Sequence, residues 1–101
     1  MDETTMTEAQ IEKKLVAFCR EHGLLTYKFA SPSHRGVPDR IIMGGGKVMF
    51  LELKRPGQEP TALQYRTGDD IRAHGCCWRF ADSFISARND VVGYFGIVDG
   101  I

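Results

Sequence analysis

No stretch of this sequence is apolar for anything near the roughly 18 residues that a membrane span requires. Its acidic start, MDETT, lacks the basic segment of a secretory signal. Net charge is missing as well, with 13 Lys and Arg against 13 Asp and Glu. A neutral chain is poorly suited to indiscriminate nucleic-acid binding. Cysteine is scarce: Cys19, Cys76 and Cys77 form no metal-ligand pattern. An odd count without a signal segment fits free thiols in a reducing cytoplasm. Repeats, linkers and low-complexity segments are also absent. Residues 1–101 therefore read as a single domain with one modest core, burying roughly 60–68% of its unfolded surface.

What is present is unevenly spread. Residues 28–55 contain Lys28, Arg35, Arg40, Lys47, Lys54 and Arg55 against only Asp39 and Glu52, while both flanks are acidic on balance. A basic segment around an acid pair suits a phosphate-bearing ligand. Within it, two apolar runs, 40–43 and 48–53, flank Gly44, Gly45, Gly46 and Lys47. Consecutive glycines between such runs signal a β-hairpin, because glycine alone takes positive φ freely at both turn positions. A turn centred between Gly45 and Gly46 pairs Asp39 directly with Glu52. Side chains of such a pair lie about 4.5–5.5 Å apart at Cβ, on one face. Lys54, two residues beyond Glu52, shares that face. Two carboxylates in a largely apolar setting repel each other, and a divalent cation such as Mg²⁺, which takes oxygen ligands, removes the conflict.

The remaining elements follow from periodicity and caps. A helix over 7–22 opens with Thr7 and Gln10 in a capping-box pattern, carries the stripe Ile11, Leu15, Phe18 and His22, and stops at Gly23. Glu8 and Glu12 lie at the edge of that stripe. Glu8 has a structural role as an acid in the first helical turn, whereas Glu12 lies beyond that turn. A strand over 24–30, a turn-rich loop over 31–38, a helix over 61–74, a strand over 76–80 and a helix from Asp82 or Ser83 to about 94 complete the order αβββαβα. Both hairpin faces are largely apolar, so helices are expected on both sides of the sheet. The closing residues, Val91, Val92, Tyr94, Phe95, Ile97, Val98 and Ile101, are unusually apolar. A surplus of that kind marks an interface, here one between two copies, with packing on the protomer's own sheet as the alternative.

Pro38-Asp39 followed by Glu52-Leu53-Lys54 resembles the motif of the PD-(D/E)XK nucleases. The fuller string resembles their VRR-NUC (virus-type replication-repair nuclease) branch: Lys28-Phe29, Ser31-Pro32, Gly36-Val37-Pro38-Asp39-Arg40, Glu52-Leu53-Lys54, Pro56-Gly57 and Gln64. The resemblance implies a restriction-endonuclease-like α/β fold, an αβββαβ(α) core with a mixed sheet flanked by helices. It also implies a metal-dependent endonuclease, with Asp39, Glu52, the Leu53 backbone carbonyl and a helix-borne glutamate, best matched by Glu12, holding Mg²⁺ or Mn²⁺. Lys54 would serve the attacking water or the phosphate, and Gln64 would be an active-site residue. Lys28, Arg35 and Arg40 are candidates for DNA-backbone contacts. Stand-alone members resemble Holliday-junction resolvases, homodimers acting on branched DNA in replication, repair or recombination, in a bacterial or phage-infected cell. A partner-dependent flap or nicking nuclease subunit and a non-catalytic DNA-binding module are the alternatives.

Overall fold

A computed structural model describes residues 3–98. Gly45 and Gly46 take φ of 57° and 80°, a region glycine enters at little cost. The chain reverses there between β2 (Arg40–Gly44) and β3 (Lys47–Leu53). These strands pair antiparallel from Arg40 opposite Leu51 to Gly44 opposite Lys47, the register expected from the sequence. One further step along it sets Asp39 across from Glu52. β1 (Leu25–Lys28) pairs antiparallel with β2, and β4 (Cys77–Ala81) runs parallel to β3. The result is a mixed four-stranded sheet in the order β1-β2-β3-β4. β1 is shorter than the expected strand over 24–30.

Three helices flank the sheet, each opened by a hydroxyl cap. Thr7 and Gln10 form the capping box of α1 (Glu8–Glu21). Thr61 and Gln64 form a second such box on α2 (Ala62–Ala73). Ser83 caps α3 (Phe84–Phe95), and Glu3, in a short 3-10 turn, accepts a 2.7 Å bond from the Phe84 N–H. The expected order of elements is thus present.

Alternation along the strands divides the sheet into two unlike faces. Ile42, Met49, Leu51 and Leu53 point to one face and are at most 1% exposed. There they pack with Ile11, Leu15, Phe18 and Cys19 of α1 and with Ala87 and Val91 of α3. On the other face α2 lies over β4. Gly68 lets the Trp78 indole rest against the helix backbone, where an added Cβ would stand 2.5 Å from the ring. The Arg72 guanidinium stacks on the same ring, 4.9 Å from its centroid.

The helices expected on both sides of the sheet are present, but α2 covers its face only in part: Leu25 and Tyr27 on β1 and Val48 near the hairpin turn, which share the α2 side, are 49%, 57% and 40% exposed. A single helix about 10 Å wide spans only some two strands at about 4.8 Å spacing. The apolar chain end is divided: Val91 is buried, and Val92, Tyr94, Phe95 and Ile97 pack partly buried against the core. Val98 is exposed, and Ile101 lies outside the described residues. No helix among the described residues is long and apolar enough to cross a membrane.

Candidate active site

Where the sheet rows run out, the ends of β2 and β3 and the first turn of α2 bring four predicted residues together, Asp39, Glu52, Lys54 and Gln64. Asp39 sits one residue before β2, held on both sides. Its carbonyl accepts the Phe29 N–H at 2.8 Å, and its Oδ2 accepts the Leu53 N–H, also at 2.8 Å. Glu52 is 1% exposed and faces Asp39. Its Oε2 accepts a 3.1 Å bond from Gln64 Nε2 and lies 3.8 Å from Lys54 Nζ. Its Oε1 is buried with no donor. Loss of water, then the charge and hydrogen-bonding reach of Asp39, push the Glu52 carboxyl up to about 8, with Lys54 pulling the other way.

Gln64 reaches Glu52 for a local reason. As the third residue of α2, its amide oxygen caps the Thr61 N–H at 2.8 Å, leaving the amide nitrogen free to donate to the acid. The Thr-x-x-Gln spacing that announces this box was legible in the sequence; its tie to Glu52 was not.

The two helix glutamates divide differently from expectation. Arg40 projects to the α1 side of the sheet, opposite Asp39, and is 8% exposed. It donates to Glu12 Oε2 at 3.2 Å and to the Thr26 hydroxyl at 3.2 and 3.3 Å. Lys28 Nζ stands 3.5 Å from Glu12 Oε1. Glu12, expected in the acid cluster, is therefore engaged by cations. Glu8, one turn earlier, lies within electrostatic reach of the pair. Its carboxyl is raised by partial loss of water and then by Asp39, and it contributes in turn to raising Glu52.

Of the other predicted residues, Arg35 is exposed on the loop between β1 and β2, whose His34 Nε2 lies 3.4 Å from the Thr67 hydroxyl. Lys28 and Arg40 belong to the Glu12 cluster. Among the described residues no group of three His, Cys, Asp or Glu side chains is arranged to hold a metal ion. The donor set that is arranged, two facing carboxylates with one buried oxygen lacking a donor, still fits Mg²⁺, which is often held by one or two carboxylates, waters and substrate phosphate. Lys13 and Arg20, seven residues apart on α1, stand beside Lys28 and Arg40 in a cleft; their spacing was visible in the sequence and went unread.

No family model matches the sequence. Over 60 residues, 58% of this chain, it is 50% identical to "Putative nuclease p44" of Acyrthosiphon pisum secondary endosymbiont phage 1. The match spans 64% of that protein, less than two thirds of its length. A solved structure titled "VRR_NUC domain" superposes with a TM-score of 0.78, covering 89% of this chain and 99% of that one at 22% identity. The mixed sheet, its flanking helices and the placement of Asp39 and Glu52 at one end of it thus belong to a chain with the fold of a VRR_NUC domain.

Proposed function

We propose that this protein is a VRR-NUC nuclease, hydrolysing DNA phosphodiester bonds with a divalent cation. The observation that carries this reading is Glu52: a buried carboxyl with one donorless oxygen, set against a second carboxylate and beside a lysine. Burying two acids together is unfavourable, and a phosphate-binding metal site gives a reason for it. The relative named a nuclease and the shared fold support the same reading.

Asp39, Glu52 and the Leu53 carbonyl would hold Mg²⁺ or Mn²⁺, with Glu8 rather than Glu12 as the helix-borne acid. The bound ion would polarise the phosphate and lower the pKa of a water. Asp39 is fixed by the Leu53 N–H and Glu52 by Gln64, so both carboxylates are oriented before substrate arrives. Lys54 places a cation where negative charge grows on the phosphate, or where a water can be aligned for attack. Its short distance to Glu52 keeps that charge at the site.

Branched DNA in replication, repair or recombination is the substrate class this reading includes. The homodimer that symmetric incision of a four-way junction requires would use the apolar chain end, where Val92, Tyr94, Phe95 and Ile97 are only partly buried and Val98 is exposed. Cleavage of linear, flapped and four-way DNA with Mg²⁺ or Mn²⁺, against EDTA, tests the reading. Metal-dependent cutting by wild type and none by Glu52→Gln is the expected result. No cutting of any form would remove the stand-alone enzyme and leave the partner-dependent subunit and the binding module.

A further inference from the structure

The Glu12 cluster lines a cleft between α1 and β1, with a volume of about 420 Å³. Lys13, Arg20, Lys28 and Arg40 stand around it against one carboxylate, Glu12. In a chain of net charge zero, this is a marked concentration of one sign, and clefts focus such fields. The cleft has a built floor. Ala9, Val16 and Ala17 lie on the same face of α1, and these short side chains leave the space that longer ones would fill. Lys13 and Arg20 are exposed and about 10 Å apart along the helix, enough to meet successive phosphates. The Lys28 side chain is 72% exposed.

The cleft also adjoins the acids without being part of them. Arg40 follows Asp39 in the chain, and Glu8 is one turn, about 5–6 Å, from Glu12 on α1. Resting on the nuclease reading above, we infer that this cleft is a track for the sugar-phosphate backbone of the bound DNA beside the cut, with Lys13 and Arg20 as phosphate contacts. Glu12 then acts as a local counter-charge that holds Lys28 and Arg40 in place and moderates the grip on the strand. The contact is to phosphate and carries no sequence information.

Binding of a labelled oligonucleotide across a salt series, in EDTA so that nothing is cut, tests the proposal. Lys13→Ala/Arg20→Ala should weaken binding about tenfold and lower the steepness of log K against log salt by about one to two, since each lost phosphate contact removes about 0.7–0.9 from it. Single-turnover cleavage at saturating DNA should stay at the wild-type rate. Glu12→Gln should bind more tightly than wild type, provided its melting temperature shows that Arg40 has not been unseated. Arg66→Ala, an exposed arginine on α2, gives the baseline for losing one surface charge. A double variant indistinguishable from that baseline overturns the track, as does one whose saturated cleavage rate falls while its affinity holds. Wild type that neither binds DNA in EDTA nor cuts it with Mg²⁺ or Mn²⁺ takes down both the track and the nuclease reading; wild type that cuts while the double variant is unchanged, or that cuts with metal but binds nothing in EDTA, takes down the track alone.

Discussion

The two faces of the sheet solve opposite problems with the same strands. On the α1 and α3 side, Ile42, Met49, Leu51 and Leu53 are sealed under two helices, and the polar positions of that face, Thr26, Lys28 and Arg40, gather at one end of it. On the α2 side the matching positions run Asp39, Ile41 and Met43 on β2 and Val48, Phe50 and Glu52 on β3, with a helix over only part of the width. The dry face supplies the stabilising burial, and the half-open face holds charges that burial alone would not favour. The lesson is one of division of labour across a single layer: a two-residue period lets each strand contribute to stability and chemistry at once.

That comparison can be broken most sharply at Glu52. Glu52→Gln should lower metal-dependent cleavage by about a thousandfold or more, yet raise the melting temperature of the metal-free protein above pH 8, because it removes a charge the fold disfavours. A variant that loses stability along with activity would mean Glu52 is structural. Next in size, Lys54→Ala should reduce cleavage by at least about a hundredfold while leaving the fold intact, since its stem lies at a strand end. A wild-type single-turnover rate would deny the lysine a catalytic role.

On the dry face, Leu51→Ala should cost about 2–5 kcal/mol in denaturant unfolding. Ile41→Ala, on the half-open face, should cost clearly less, and equal losses would erase the distinction between the faces. A further effect is on pH. The folded state favours protonated Glu52 up to about pH 8, whereas an ordinary carboxyl ionises near 4.5. Stability contributed by that proton is present below about 4.5 and is lost as pH rises towards 8. Melting temperatures of the metal-free protein should fall across that window, and Glu52→Gln should flatten the trend.

Much of this was written locally enough to read. The glycine pair fixed the hairpin register, and register alone put Asp39 opposite Glu52. The Thr7 and Gln10 pattern placed the first helix to within a residue. The choice between Glu8 and Glu12 was not legible, because both lie at the edge of one helical stripe. What separates them is Arg40, whose side chain crosses to the α1 side only once the sheet exists. The partial cover of the α2 face was equally hidden: an apolar strand reads alike whether a helix lies over it or stops two strands short. The division of the closing apolar residues was hidden for a related reason, since composition does not say how much of a segment packs on its own core.

The double use of the Gln64 amide has a consequence for order of assembly. The hairpin that pairs Asp39 with Glu52 closes a short loop and can form from local contacts, so the two acids meet early. Gln64 arrives only with the first turn of α2, where the same side chain nucleates the helix and engages Glu52. Hydrogen exchange at the Thr61 N–H should therefore track the ordering of the Glu52 side chain. Fraying of one helical turn would remove the Gln64 donor from Glu52, so the start of α2 and the orientation of the acid are linked.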